Sequence, residues 1–561
     1  MKKIGKLELT WVGKYDEKVI EPRILVEDVD KSYGDPTSDN MLIHGDNLIA
    51  LQALQQDFAG RIKCIYIDPP YNTGAAFEHY DDNLEHSIWL DLMGRRLKLL
   101  KELMADDAGI CVQVDAVEMP YLKVLMDEIF NRLNFINIVC VKTKIAGVSG
   151  SNLGKSLQDN IEFILLYAKD LSQFELNYIP KKRKELMNYI EEYIQEGKSW
   201  KYTSVLKYID KGEYVKSFFA GNGDEIKLFL HNDYEIKSIN QVATEEFDGD
   251  KKRAYYKYIH KVFRTTNAQT SIRTKVVDET AEYGNKGIFS IEYAPIKGKN
   301  AGKVIRSYYK DTNLIAWLAD VVSIEKQGVY KLDNMGNLWD DIQYNNLTKE
   351  GNVKFPNGKK PEALVRRFIG MLSEPGDYIL DSFLGSGTTS AVAHKMNRRW
   401  IGIEMGEQAY SHCKVRLDRV IDGEDTGGIT KDEKWQGGGG YHFYELAPSL
   451  LVKNNKLPIY QINPLYNFEM LCEAICKIEG FHYKPQELLH GYSSEKRFIH
   501  ITKEFVNATY IKSLSAHLAE GQSLLIYGTK IQSNMILPDN IEVKKIPKDL
   551  LEKCDFDSEV K

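Results

Sequence analysis

The tetrapeptide Asp68-Pro69-Pro70-Tyr71 is the part of the sequence best suited to chemistry, because it ends a short apolar run, IKCIYID. The two prolines stiffen the backbone, so the acid and the aromatic ring form a rigid bracket. The Asp68 carboxylate and the Pro69 carbonyl can each accept one N–H of a planar aromatic amine, while Tyr71 stacks on its ring. Such acceptors favour a more tetrahedral nitrogen that can attack an electrophilic methyl group. A simple proline-stiffened turn would explain the prolines but not the whole bracket.

A second candidate site is the glycine turn in YILDSFLGSGTTS, residues 378–390. It follows a predicted strand and precedes a predicted helix. Glycines at such a turn let the backbone approach a ligand closely. The candidate ligand-binding residues in this turn are Asp381, Phe383, Gly385, Gly387 and Thr388.

Three kinds of ligand can be weighed for this turn. A nucleotide-phosphate loop needs G-x-x-x-x-G-K-[ST], and no Gly-Lys pair in the chain has a glycine five positions before its own glycine. A dinucleotide fingerprint needs G-x-G-x-x-G, but Ser390 stands where the third glycine is required. S-adenosylmethionine needs no phosphate cradle at its methionine end. Glu404, which ends the predicted strand WIGIE, suits the ribose hydroxyls of either NAD or S-adenosylmethionine.

Two stretches, residues 41–170 and 351–425, alternate short apolar runs with amphipathic helical patterns. This alternation predicts an α/β fold with one doubly wound, mainly parallel sheet assembled from both stretches. Ligands of such sheets bind beyond the carboxyl ends of the strands. Both candidate sites follow predicted strands, so we expect them at that edge.

The other segments have a different texture. Residues 171–350 are rich in Tyr and Lys and lack the strand–helix alternation, which predicts an inserted domain. Residues 426–440 contain four consecutive glycines and predict a flexible linker. Residues 1–40 form an N-terminal segment, and residues 441–561 predict a small C-terminal α/β module.

Charge is unevenly distributed along the 561-residue chain. The formal net charge is −6, yet residues 251–310 contain 14 Lys/Arg and 4 Asp/Glu, a local net charge of +10. A basic segment in an acidic chain is typical of a surface that binds a polyanion, although a solvated lysine-rich face is the alternative. The candidate phosphate-binding residues, which are interleaved with tyrosines, are Lys251, Lys252, Arg253, Lys257, Lys261 and Arg264.

Composition argues against several classes of protein. No apolar run approaches the roughly 20 residues that cross a bilayer, and the N-terminus lacks the apolar segment of a secretory signal. Seven cysteines, mostly far apart, do not predict a disulfide scaffold and favour a reducing cytoplasm. The spacing of Cys472, Cys476 and the histidines at 482, 490 and 500 matches no tight zinc pattern, so we predict no metal site.

Together these motifs resemble the DNA amino-methyltransferases. The bracket Asp68–Tyr71 matches the catalytic motif of that family, and Phe383-x-Gly385-x-Gly387 matches its cofactor loop. Their order along the chain is the permuted arrangement of the β class, and Lys360-Pro361 looks like the motif that leads into the cofactor loop. The segments MLIHGDNLIALQAL, IDPPYNTG, WLDLMGRRLKLLKELM and DSFLGSGTT resemble the modification subunits of type III restriction–modification systems.

The resemblance implies methyl transfer from S-adenosylmethionine to N6 of an adenine that is flipped out of double-stranded DNA and stacks on Tyr71. It implies that Asp46 contacts the cofactor's adenine and that residues 171–350 are a target-recognition domain, whose basic residues bind phosphates. It also implies a homodimer. Because the chain carries no Walker-type loop, any ATP-driven cleavage would need a separate restriction subunit.

Alternative functions remain open at this point. Methylation of cytosine N4, or of RNA, would use the same bracket. A noncatalytic DNA-binding subunit could retain the fold, but the intact Asp68, Tyr71, Gly385 and Glu404 argue against such decay. An NAD-linked oxidoreductase would explain the glycine turn and leave the Asp-Pro-Pro-Tyr bracket without a role.

Overall fold

The computed structural model describes residues 8–15, 19–71, 85–143, 159–178, 181–219, 223, 225–267, 270–295, 302–345, 347–355, 358–454 and 456–556. The chain divides into two units, one formed by Pro180–Met335 and the other by Met1–Ile179 together with Gly336–Lys561. The Gly/Ser-rich segment 146–156 lies outside the described residues.

The elements follow one another along the chain in four groups. Before the second unit come β1 (Leu25–Glu27), β2 (Tyr33–Gly34), β3 (Met41–His44), α1 (Asn47–Phe58), β4 (Ile62–Ile67), α2 (His86–Leu103), β5 (Met104–Val114), α3 (Met119–Phe130), β6 (Phe135–Lys142) and β7 (Ile161–Ala168). The second unit holds β8 (Lys181–Glu185), α4 (Leu186–Gln195), β9 (Ser204–Ile209), β10 (Glu213–Phe219), β11 (Glu225–His231), β12 (Tyr234–Ser238), α5 (Ile239–Glu246), α6 (Lys251–Lys257), β13 (Val262–Thr266), α7 (Ser271–Glu279), β14 (Ile288–Tyr293), β15 (Ile305–Lys310), β16 (Asn313–Trp317), β17 (Val322–Glu325) and β18 (Gly328–Asn334).

The first unit resumes with β19 (Leu338–Trp339), α8 (Glu362–Leu372), β20 (Tyr378–Asp381), α9 (Thr388–Lys395), β21 (Arg399–Glu404), α10 (Val415–Ile421), α11 (Thr430–Glu433) and β22 (Gly440–Leu446). The last group is β23 (Leu451–Lys453), β24 (Tyr460–Ile462), α12 (Phe468–Glu479), β25 (His482–Tyr483), β26 (Gly491–Ser494), β27 (Arg497–Val506), α13 (Ala508–Ser515), β28 (Ser523–Ile531), β29 (Ile541–Lys545) and α14 (Lys548–Leu551).

One sheet joins strands from both parts of the first unit, in the order β1-β22-β3-β21-β20-β4-β5-β7-β6-β19, with β2 paired to β22. The six strands from β22 to β5 in this order are parallel. Leu380 of β20 lies in register with Ile65 of β4, although the two strands are far apart in the chain. The structure therefore confirms the predicted α/β fold with a mainly parallel sheet built from two distant stretches.

Helices cover both faces of this sheet, which explains why β4 is apolar at every position except Lys63 near its start. Ile65 and Ile67 belong to one buried cluster with Leu51 of α1 and Met93 of α2. Tyr66 points to the opposite face, where its ring centre lies 6.0 Å from that of Phe368 in α8. Successive strand residues face opposite sides, so a strand covered on both sides is apolar over nearly its whole length.

The glycine-rich segment 426–440 is not the flexible linker that we expected. Trp435 donates its indole N–H to a backbone carbonyl of α10 at 2.7 Å. A Cβ on Gly439 would lie only 2.9 Å from the His394 ring, and Gly440 already belongs to β22, which pairs with β3 in the central sheet. The prediction of a linker failed because glycine also occurs where two backbone segments must pack closely. The domain boundary that we expected at residue 441 lies inside β22.

The rest of the C-terminal region forms a five-stranded sheet, β25-β26-β27-β28-β29, in which β27, β28 and β29 are parallel. Its helix α12 buries Leu471 and Ile475 in an apolar cluster that also includes Ile24 from the N-terminal segment. The second unit is different, since its eight-stranded sheet, β10-β11-β14-β15-β16-β13-β9-β12, is antiparallel at every pairing. Across the described ranges, no helix has the length and apolarity to cross a membrane.

Candidate active site

A cavity opens where β4, β20 and β21 end. Its volume is about 850 Å³ when the part that is open to solvent is included. The bracket Asp68–Tyr71 lines one side, and residues of the glycine turn line another. Tyr66, Lys360, Glu404 and Gln408 also line the cavity. Two motifs that are about three hundred positions apart in the chain therefore face the same space.

The bracket is held in place by hydrogen bonds at both ends. The Tyr71 hydroxyl lies 2.7 Å from Asp68 Oδ1, to which it donates. Trp89 of α2 donates its indole N–H to the Pro70 carbonyl at 2.8 Å. The ring of Tyr71 is thereby fixed at the cavity wall, where a planar ligand can stack on it.

Lys360 lies against the bracket. Its ammonium nitrogen is 3.1 Å from Asp68 Oδ2 and 2.8 Å from the Tyr71 hydroxyl, and the lysine side chain is only 8% exposed. Burial disfavours the charge on Lys360, but Asp68 and Glu162 outweigh that effect and raise its pKa. We expected Lys360 among the cofactor-binding residues, and the structure instead places its ammonium group beside the acid of the bracket.

Burial raises the pKa of Asp68 to about 6. Lys360 opposes this shift, and the negative charge of Glu162 adds to it. At neutral pH Asp68 is therefore largely ionised, yet it is a stronger base than an exposed aspartate. A carboxylate of that strength can accept a proton from a reacting amino group.

The sequence did not reveal the residues behind the bracket. Glu162 Oε2 lies 2.9 Å from the Tyr71 hydroxyl and 3.3 Å from Lys360 Nζ. Gln113 donates its amide N–H to Glu162 and accepts the hydroxyl hydrogen of Tyr66. The available signal was an acid and an amide within the otherwise apolar strands IEFILLYA and GICVQV. Their meeting depends on the antiparallel pairing of β5 with β7.

The glycine turn is organised around Asp381. Its carboxylate accepts the backbone N–H of Phe383 at 2.9 Å and the hydroxyl of Thr389 at 2.6 Å. Burial raises the pKa of Asp381 to about 7. Gly385 and Gly387 have φ values of 56° and 78°, a left-handed backbone that favours glycine. Thr388 then begins α9, as the sequence predicted.

Glu404 ends β21 and braces this turn. Its two carboxylate oxygens accept the backbone N–H groups of Gly385 at 2.7 Å and Gly406 at 2.9 Å. Gln408 lies nearby in the cavity wall, and its buried Oε1 has no hydrogen-bond partner among the described residues. A buried acceptor without a partner is costly, so a ligand donor at this position would be favourable.

Three expected cofactor-binding residues, Asp46, Pro361 and Gly387, lie outside the cavity lining. Asp46 caps α1, where it accepts the backbone N–H groups of Leu48 and Ile49, and it pairs with Arg96 at 3.3 Å. Pro361 immediately precedes α8 and provides its N-cap. Gly387 is the N-cap of α9, so all three residues lie at the starts of helices in this structure.

The six predicted phosphate-binding residues are all exposed and all belong to the second unit. The aromatic residues between them have structural contacts instead. Tyr255 and Phe263 are 3% and 1% exposed, and the Tyr256 hydroxyl donates to Glu185 at 2.6 Å. The exposed basic side chains and the buried aromatic core are thus two sides of the same segment.

The described part of the chain contains no group of three or more His, Cys, Asp and Glu side chains that could hold a metal ion.

The parallel α/β sheet, with an acidic bracket and a glycine turn at one edge, is the arrangement of a domain that transfers a chemical group between two bound molecules. A family model for DNA methylases matches residues 62–414, which is more than half of the chain. The chain therefore belongs to the DNA methylase family.

Individual relatives agree with this assignment. The Probable type III restriction-modification enzyme HindVI Mod subunit of Haemophilus influenzae is 49% identical over 422 residues, covering 74% of this chain and 55% of that subunit. The Type III restriction-modification enzyme EcoP15I Mod subunit of Escherichia coli is 24% identical, covering 81% of this chain and 71% of that subunit. The chain thus spans about half the length of the Haemophilus relative.

Among solved structures, the cytosine-N4-specific PvuII DNA methyltransferase matches with a TM-score of 0.32 and 14% identity, covering 74% of this chain and 94% of that one. A likeness this distant does not bear on the base that this chain would methylate.

Proposed function

We propose that the protein transfers a methyl group from S-adenosylmethionine to N6 of adenine in double-stranded DNA. The observation that carries this proposal is that the Asp-Pro-Pro-Tyr bracket and the glycine turn line one cavity. Membership of the DNA methylase family supports it. The aspartate at the first position of the bracket favours adenine N6 over cytosine N4 within the family that the sequence resembles.

The residues of the bracket position the amino group. Asp68 and the Pro69 carbonyl accept its hydrogens, which raises electron density on the nitrogen. Tyr71 stacks on a base that has been flipped out of the duplex, since a stacked base could not reach the cavity. Asp68, with a pKa raised to about 6 by burial, then takes the proton that the methylated nitrogen loses.

The other wall of the cavity suits the cofactor. S-adenosylmethionine supplies an electrophilic methyl group when it is bound. Gly385 and Gly387 keep the turn free of side chains, and the unpartnered oxygen of Gln408 offers an acceptor to an amino or hydroxyl group. Glu404 lines the cavity, where its carboxylate would accept a ribose hydroxyl.

The second unit would act as the target-recognition domain. Its exposed basic residues at 251–264 would contact DNA phosphates, while other groups read the bases. As the relatives are Mod subunits, we further propose that the protein works in the cytoplasm as a homodimer and pairs with a separate restriction subunit.

The test is methylation of unmethylated DNA by the purified protein with labelled S-adenosylmethionine, followed by mass spectrometry of the digested nucleosides. We expect N6-methyladenine as the product. Asp68→Ala should lower the rate by about 100-fold or more, because it removes the acceptor for the amino group, and should leave cofactor binding intact.

Asp106→Ala is the matched control, since Asp106 is an exposed carboxylate at the start of β5 that pairs only with Lys169 among the ion pairs of the described residues. Its rate should equal that of the wild type. Normal methylation by Asp68→Ala would refute the proposed role of the bracket, and N4-methylcytosine as the product would overturn the choice of base.

A further inference from the structure

Glu162 is not part of the Asp-Pro-Pro-Tyr motif, but it contacts Tyr71 of the bracket. It lies at the second position of β7, and its Oε2 faces three donors: the Tyr71 hydroxyl at 2.9 Å, Lys360 Nζ at 3.3 Å and the Gln113 amide. Its side chain is 20% exposed, so water contributes little to its solvation. Three donor groups therefore converge on this one carboxylate oxygen.

Lys360 is shared between two carboxylates. Its ammonium nitrogen is 3.1 Å from Asp68 and 3.3 Å from Glu162, so one positive charge faces two negative charges. The Tyr71 hydroxyl has one hydrogen and lies within reach of both acids, so it can donate to only one at a time. Asp68 is consequently left only partly neutralised.

The other titratable groups around this set do not restore the balance. Asp381 in the glycine turn repels Asp68 and Glu404 electrostatically, and Asp115, which directly follows β5, repels Glu162. Tyr66, Tyr71 and Tyr344 are neutral, because burial raises the pKa of each phenol.

We propose that Glu162 is a positioning residue that shares Lys360 with Asp68 and so keeps Asp68 a competent proton acceptor. This inference rests on the proposed function. In the reaction the lone pair of the amino nitrogen forms the new N–C bond, while the methyl C–S bond breaks and sulfur keeps its electron pair. The nitrogen then releases one proton to Asp68, which becomes a neutral acid and returns the proton to water after the product leaves.

The first test is the pH dependence of methylation in single turnover. In Glu162→Gln, Lys360 pairs with Asp68 alone, which lowers the pKa of Asp68. The acid limb of the pH–rate profile should therefore shift by about one unit to lower pH. The rate at pH 8 should fall by about 10-fold, because the acceptor is weaker. Lys360→Met removes the positive charge and should move the acid limb to higher pH.

In the double variant Glu162→Gln/Lys360→Met, the acid limb of the pH–rate profile should lie at a pH between those of the two single variants. Glu175→Gln, the same change at an exposed glutamate, should leave the profile unchanged. If the substitutions only disturbed packing, both single variants would have lower rates, but their acid limbs would not shift in opposite directions. Limbs that stay fixed in both single variants, while the wild type methylates DNA, would overturn the role of Glu162 and leave the proposed function standing.

A second readout does not depend on methylation. A water-soluble carbodiimide joins a lysine to a carboxylate that touches it, and the linked peptides are identified by mass spectrometry. The wild type should yield Lys360 linked to both Asp68 and Glu162, and Glu162→Gln should yield only the Asp68 link. Absence of the Lys360–Glu162 link in the wild type would overturn the inference. A wild type that forms the link but methylates no DNA would refute the proposed function, and the role of Glu162 with it.

Discussion

Glu404 has two tasks at the residue scale. It is the carboxylate that would contact a ribose, and it also accepts the backbone N–H groups of Gly385 and Gly406. Hydrogen bonds to a charged acceptor contribute about 1.5–3 kcal/mol each. The residue therefore fixes the shape of the glycine turn before any ligand arrives.

Replacing Glu404 by alanine should weaken S-adenosylmethionine binding by about 30-fold, or ~2 kcal/mol, since both a ligand contact and the brace of the turn are lost. Isothermal titration calorimetry measures this directly. Glu407→Ala, at an exposed glutamate three positions later, is the control and should bind as the wild type does. An unchanged affinity of Glu404→Ala would show that Glu404 neither contacts the cofactor nor shapes its site.

At the scale of elements, a buried ionic group joins the helices behind the glycine turn. Lys395 of α9 lies 2.8 Å from Glu362 of α8 and 2.6 Å from Asp425, and all three side chains are at most 1% exposed. Arg416 of α10 pairs with Glu362 at 2.7 Å and donates to the Thr388 hydroxyl at 2.7 Å. Two cations thus balance two anions, and the group connects to the first residue of α9.

Lys395→Met should destabilise the protein by about 3–5 kcal/mol, because it leaves two buried carboxylates with a single arginine. Equilibrium unfolding in urea measures the loss. Lys431→Met, at an exposed lysine of α11, should change the free energy of unfolding by no more than about 0.5 kcal/mol. If the two variants had equal stability, the buried group would not be what holds these helices together.

At the scale of the whole molecule, the acidic chain carries its basic surface in the second unit. Lys252 already pairs with Glu185 at 3.1 Å, whereas Lys251, Arg253 and Lys257 are exposed on α6. Phosphate contacts of such residues release counterions, so they determine how steeply DNA affinity falls with salt.

Reversal of three charges, in Lys251→Glu/Arg253→Glu/Lys257→Glu, should weaken DNA binding and flatten the plot of log affinity against log salt by about 0.9 per lost phosphate contact. Fluorescence anisotropy with duplex DNA over a salt series measures both effects. The control reverses the exposed lysines Lys496, Lys512 and Lys548 of the C-terminal region, with the same change in net charge. Identical slopes for the two variants would exclude α6 as a phosphate-binding surface.

Local sequence was sufficient for the alternating strands and helices of the central sheet and for the two motifs, but not for the elements of the second unit. A buried parallel strand must be apolar on both faces, so IKCIYI predicted β4, and the acid and prolines that follow it were placed at a ligand-binding edge by the geometry of parallel sheets. The left-handed glycines of the turn were likewise predictable, because few other residues adopt that backbone.

Only the tertiary structure decided which distant groups meet. Glu162 reaches Tyr71 and Lys360 because β7 pairs with β5, and the glycine-rich segment packs because β22 pairs with β3. Asp46 likewise caps a helix, although its type and position also suited a ligand. Strand register and burial are set by contacts between residues that are remote in the chain. A motif read along the chain therefore predicts the chemistry of its own residues and leaves their partners undetermined.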